Sequence, residues 1–150
     1  MAATRVLIAD DNMALARTVG EILSDQGYDV AIVSTGAQAL VAWRERPADL
    51  VVVDVDLPDI RGLTVARRLA QRHGGCALLV MSAGDARDLM PLCEELGARF
   101  LAKPFGPSHL LAEVRAILKQ RAEKARARRP TRRLLASREP KALLQHRRRR

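Results

Sequence analysis

Leu50-Val51-Val52-Val53-Asp54-Val55-Asp56-Leu57-Pro58 is the stretch on which the reading of this chain turns. Its first four residues are apolar without alternation, the pattern of a strand buried on both faces, as in a parallel sheet. The run ends on a carboxylate, Asp54, with a second acid two places further on. Working outward, Val6-Leu7-Ile8-Ala9 is a similar short run. After it, Leu15, Val19, Ile22 and Leu23 recur at i, i+4, i+7 and i+8, the spacing of one helix face. Asp11 or Asn12 can cap that helix and Gly27 can end it. Val30 to Val33 makes a further run, and Thr35 caps a second helix through Trp43.

Past the central stretch, Leu63, Ala66, Leu69 and Ala70 form the inward face of a third helix, and Ala77 to Met81 is a fourth strand run. Ala86, Leu89, Met90 and Cys93 carry a fourth helix and read as its core side. Pro91 falls inside it, which predicts irregular backbone just before that proline. Phe100 to Ala102 is a short fifth strand. Gly106-Pro107 opens a last helix whose apolar face is Leu110, Leu111, Val114, Ile117 and Leu118. Five strand-helix units follow. Strands joined by helical crossovers lie parallel, and right-handed crossovers with helices on both faces give an α/β, doubly wound open sheet.

A chain of 150 residues is long enough to close one core without disulfides or structural metal. Cys76 and Cys93 have no metal-binding spacing and sit in apolar stretches, which predicts reduced, buried side chains. The absence of a signal-like segment and of any long apolar run predicts a cytoplasmic protein with no transmembrane segment. The net charge of +9 is unevenly placed: residues 1–118 hold 12 Lys/Arg against 15 Asp/Glu, whereas residues 119–150 hold 14 against 2. The folded part is acidic, so any anion-binding surface belongs to the tail. The domain plan is therefore 1–120 for the folded unit and 121–150 for a basic, mostly disordered tail, with the last helix extending no further than Pro130.

In open parallel sheets, ligands bind outside the carboxyl ends of the strands. Asp10 and Asp11 follow the first strand, Asp54 closes the third, Ser82 closes the fourth and Lys103 closes the fifth. Carboxylates sharing one crevice repel each other unless a cation or protons intervene. Magnesium fits that need, because it takes carboxylate and carbonyl oxygens and commonly shares its shell with phosphate. A lysine and a hydroxyl nearby can meet the oxygens of a transferred phosphoryl group. Aspartate is a nucleophile in such transfers, and Asp54 is the central candidate.

Together the Asp10-Asp11 pair, the run from Val51 to Pro58 with Gly62, the Met81-Ser82-Ala83 segment and Lys103-Pro104-Phe105 resemble the receiver domain of two-component response regulators, over about residues 4–120. The resemblance implies a flavodoxin-like, five-stranded parallel sheet of order 2-1-3-4-5 with five flanking helices. It implies that Asp54 accepts a phosphoryl group from a sensor histidine kinase or phosphotransfer protein. Asp10, Asp11, Asp54 and the backbone carbonyl of Asp56 would gather Mg2+, while Ser82 and Lys103 sense the phosphoryl group and Phe100 acts as a switch aromatic. The Lys103-Pro104 bond is similar to one that is usually cis. Such a protein is a stand-alone switch acting on an unknown downstream protein, not an enzyme beyond slow self-dephosphorylation. Asp56 stands where many relatives carry a long apolar residue, and the segment from Ser82 to Lys103 is one residue short of the usual length.

Two other readings compete. A pseudo-receiver scaffold would use the fold and an anion-binding tail without phosphate. A haloacid-dehalogenase-like phosphatase would use Asp54-Val55-Asp56 as its nucleophile and acid pair, but that motif normally occupies a first strand. His73, His109 and His146 lie in polar sequence and carry no expected role. The tail, residues 119–150, suits non-specific nucleic acid, an anionic membrane surface or an acidic protein, with Leu134-Leu135 and Leu143-Leu144 as small apolar anchors.

Overall fold

A computed structural model describes the backbone of residues 2–72 and 74–147 and the side chains of residues 2–72 and 74–127. Strands and helices alternate throughout: β1 (Arg5–Ala9), α1 (Met13–Asp25), β2 (Asp29–Val33), α2 (Gly36–Glu45), β3 (Leu50–Asp54), α3 (Gly62–Ala70), β4 (Ala77–Ser82), α4 (Ala86–Leu96), β5 (Arg99–Ala102) and α5 (Pro107–Arg147). The strands pair in parallel in the order β2-β1-β3-β4-β5. This is the doubly wound sheet that the apolar runs and helical crossovers predict.

Alternate residues of a strand point to opposite faces, and the core divides accordingly. Val6 and Ile8 of β1 pack with Val52, Leu79 and Leu101 under α1 and α5, against Ala16, Val19, Leu23, Leu110, Val114 and Ile117. Leu7 and Ala9 pack with Val51, Val53, Leu78 and Val80 under α2, α3 and α4, against Ala39, Trp43, Val65, Ala66, Leu69 and Cys93. Each large aliphatic side chain buried this fully contributes about 2 kcal/mol. Local chemistry sets the helix starts. The Asn12 side chain accepts the Leu15 amide at 3.2 Å, and Asp85 caps α4 by accepting the Arg87 amide at 2.9 Å. Gly27 (φ 90°) and Gly97 (φ 67°) end α1 and α4 in the left-handed region that favours glycine.

The structure corrects the sequence reading in four places. Pro91 lies within an uninterrupted α4, with no irregular backbone before it. The proline lacks an N–H for the Arg87 carbonyl, but it sits on the exposed side of the helix, where water can serve that group. Met90 is 44% exposed rather than core, because it lies a full 100° step from Leu89 and only one of them can face the sheet. On α3 the buried residues are Gly62, Val65, Ala66 and Leu69, with Ala70 exposed. Finally, the described backbone of α5 is helical through Arg147, past the stop predicted at Pro130; residues 1–118 form one compact unit and residues 119–150 a second. Alanine, arginine, lysine and leucine dominate that segment and are strong helix formers. The side chains of its leucine pairs and of His146, and the whole of His73, lie outside the described residues. Among the described residues no helix is long and apolar enough to cross a membrane.

Candidate metal and phosphoryl site

Among the described residues the buried polar side chains are Asp10, Asp54 and Ser82, at 0%, 5% and 2% exposure. All three stand at the carboxyl end of the sheet. Asp10 follows β1, Asp54 ends β3 and Ser82 ends β4, and the parallel register brings these ends level: Asp54 pairs with Met81, the residue before Ser82. Burying polar groups there serves no apolar core, since each costs free energy unless it is matched. Nearly all other inward positions on these strands are aliphatic.

Lys103 follows β5 directly and reaches both buried carboxylates, with Nζ 3.1 Å from Asp10 Oδ2 and 3.3 Å from Asp54 Oδ2. One oxygen each from Asp10, Asp11 and Asp54 lies within 4.8 Å of the others. Asp11 is exposed, so the crevice opens to solvent on its side. Backbone groups fix these side chains. Asp10 accepts the Asn12 amide at 2.9 Å, and its own amide donates to the Val33 carbonyl at 3.1 Å. Asp54 Oδ1 accepts the Asp56 amide at 3.3 Å. The Lys103 amide donates to the Ser82 carbonyl at 2.9 Å, and the Ser82 hydroxyl oxygen accepts the Gly84 amide at 2.9 Å.

Electrostatics follow from burial. Desolvation pushes the Asp10 carboxyl above its usual range, and the nearby Asp54 charge adds to this; the Asn12 amide and Lys103 offset only part of it. Burial by itself would lower the Lys103 ammonium, but its hydrogen bonds and charge interactions with Asp10 and Asp54 outweigh burial and leave it raised. Carboxylates that crowd together with one lysine between them form an all-oxygen donor set suited to a hard divalent cation. The residues therefore fit magnesium.

The Asp56 side chain is exposed, and its amide donates to Asp54 as described above. Phe100 is half-buried on β5 against the core under α2, α3 and α4. The Lys103-Pro104 bond is cis. Sequence reasoning missed Gly84, whose amide orients the Ser82 hydroxyl. It also missed the closeness of Gly62, where a Cβ would overlap the Asp54 carbonyl oxygen. The glycine eight places after Asp54 was the visible signal for the latter; nothing local marked the former.

The family model for the response regulator receiver domain matches residues 6–115. The chain is 35% identical over 116 residues to the DNA-binding response regulator MtrA of Mycobacterium tuberculosis, a match covering 77% of this chain and 51% of MtrA. It is 34% identical over 117 residues to the alkaline phosphatase synthesis transcriptional regulatory protein PhoP of Bacillus subtilis, covering 77% of this chain and 49% of PhoP. The chain thus spans about half the length of these curated relatives. The BeF3-activated receiver domain of RstA from Klebsiella pneumoniae superposes with a TM-score of 0.69 at 26% identity, covering 77% of this chain and 98% of that one. A CheY-like receiver domain from Methanospirillum hungatei shares the fold, with a TM-score of 0.76 at 23% identity, covering 82% of this chain and 99% of the other. Neither the phosphatase nor the pseudo-receiver reading is favoured by these matches. With a family model matching residues 6–115 and relatives more than 30% identical over 77% of its length, the chain belongs to the receiver-domain family of two-component response regulators, phosphorylation-controlled signalling switches.

Proposed function

We propose that Asp54 is the phosphoacceptor of this switch and that Asp10, Asp11, Asp54 and the Asp56 carbonyl hold Mg2+. The observation that carries this reading is the convergence of two buried carboxylates on the Lys103 ammonium at 3.1 and 3.3 Å. Bound magnesium would neutralise charge on the incoming phosphoryl oxygens. Asp54 forms the new O–P bond as the N–P bond of a phosphohistidine on a sensor kinase or phosphotransfer protein breaks, and the departing imidazole takes up a proton. Lys103 pairs with a phosphoryl oxygen, and Ser82 donates its hydroxyl to another. Because Lys103 and Ser82 are joined through the backbone, their shift biases the β4–α4 and β5 segments read by a downstream protein, with Phe100 following. The protein is a switch in the cytoplasm that at most dephosphorylates itself slowly. Intact-mass measurement after exposure to an acyl phosphate with magnesium tests this: the parent gains one phosphoryl group and Asp54→Asn gains none. Equal labelling of both would defeat it.

The charge excess of residues 119–150 supports a second, separable activity, non-specific binding of nucleic acid or an anionic surface. Residues 1–150 should bind duplex DNA with an affinity that falls steeply with salt, while residues 1–118 should not. Retention of that affinity by residues 1–118 would refute the assignment to the tail.

A further inference from the structure

Asp59 lies in the loop from β3 to α3, is exposed, and has no role in the site described above. Its carboxylate reaches across to α2, where one oxygen accepts the Gly36 amide at 2.7 Å and the other the Ala37 amide at 2.9 Å. The first turn of α2 contains no acid of its own. Thr35 takes the Gln38 amide at 3.1 Å, Gln38 accepts the Ser34 amide at 3.0 Å, and the Ala39 amide goes to the Thr35 carbonyl. The two first-turn donors that local capping leaves over are thus the pair that Asp59 satisfies. Hydrogen bonds from Ala37 and Gly36 hold the Asp59 carboxyl below its usual range, so it is charged at neutral pH. Gly36 permits the close approach: a Cβ there would lie 2.9 Å from Ile60 Cβ and 3.0 Å from Val65 Cγ2.

Both ends of this connection lead to the site. On the loop side, Asp56 is three residues before Asp59, and the loop is anchored at its base by Gly62 N to Val55 O and Val55 N to Met81 O, each 3.0 Å. On the α2 side, Ser34 follows Val33, whose carbonyl accepts the Asp10 amide. We propose that Asp59 is a positioning residue for the magnesium site, bridging the β3–α3 loop to the first turn of α2 and so fixing the Asp56 carbonyl relative to Asp10. This rests on the ligand role given to the Asp56 carbonyl under the proposed function. If Asp59 were only a cap, its loss would weaken α2 and leave metal binding alone.

Calorimetric titration of the full chain with magnesium, alongside thermal melts and amide hydrogen exchange of the metal-free protein, separates these outcomes. Asp59→Ala should weaken magnesium binding by about 10-fold, the scale seen when groups supporting metal ligands are removed. Asp59→Asn, which keeps one carbonyl acceptor, should fall between the two. In metal-free Asp59→Ala, exchange should quicken at Gly36, Ala37 and residues 55–61. Thr35→Ala removes a cap from the same helix without touching the loop; it should lower the melting temperature and leave magnesium affinity unchanged. Magnesium affinity in Asp59→Ala equal to the parent's, or reduced equally by Thr35→Ala, overturns the positioning role while the proposed function stands. A parent protein that takes up no magnesium overturns both.

Discussion

The two ends of the sheet use the same charged groups to opposite effect. At the amino end, Asp29 lies 3.6 Å from Arg5 and 3.2 Å from Arg46, with side-chain exposures of 44%, 16% and 69%, and the Arg5 amide donates to Asp49 at 2.9 Å. Cations there match or exceed acids, and water screens what remains. At the carboxyl end, Asp10 and Asp54 are buried, Asp11 stands beside them, and Lys103 serves both buried acids. The sequence of each strand accounts for its core, but among the described residues only the carboxyl end carries buried charge that the fold does not need. A protein keeps such an arrangement for what it binds, since apolar side chains of similar volume would hold the fold at least as well.

That contrast can be broken most sharply at Lys103. Lys103→Met should cost about 3 kcal/mol of stability in metal-free buffer, because it strands buried carboxylates without their counter-charge. Urea unfolding checks this, and magnesium should restore part of the loss in the variant. A loss of under about 0.5 kcal/mol, as expected for a surface charge, would place the two ends of the sheet on the same footing. The same variant should lose the alkaline limb of the stability profile. With its pKa raised on folding, Lys103 contributes stability in full below its ordinary value of 10.5, and that contribution fades as pH rises through the raised value.

A smaller effect is expected from Asp10→Asn, and its sign follows from the same linkage. The Asp10 pKa is raised on folding from 3.8, so the native state holds its proton longer than the unfolded chain does. The Asp10 contribution to the stability of the metal-free parent is therefore full below about 3.8 and is lost as pH climbs through the raised value, opposite in sign to that of Asp59, whose carboxyl is held below its usual range. In the variant that contribution should be missing from the difference from the parent across the acid range, and magnesium should stabilise the variant less than the parent. Unfolding curves collected across the acid range, with and without magnesium, provide the comparison; parallel profiles for parent and variant would argue against a desolvated Asp10. The least change belongs to the amino end. Arg46→Ala should cost about 0.5 kcal/mol at low salt and nothing measurable at high salt, since both partners face water.

Much of this arrangement could be read before any coordinates. Unbroken apolar runs at Val6–Ala9, Leu50–Val53 and Ala77–Met81 read as strands covered on both sides, and the polar residues that end them are the acids and the hydroxyl buried at the carboxyl end of the sheet. What escaped reading depends on direction or distance. Met90 and Leu89 are equally apolar, and only the packed helix decides which turns outward. Pro91 carries a rule against mid-helix placement that an exposed helix face can override. Asp59 follows Pro58 and looks like an ordinary turn residue. Its partners, Gly36 and Ala37, lie 23 and 22 residues away, beyond the reach of any local pattern. The helical backbone past Pro130 likewise runs against the expectation set by its prolines and charge.

Gly62 leaves no space for even a methyl group above the Asp54 carbonyl. Mutational drift is therefore closed at that codon in a way that backbone torsion alone would not impose. In a saturation library screened for folded protein, position 62 should return a single amino acid, whereas Gly27, with open space around its Cα and only its turn geometry to protect, should tolerate asparagine.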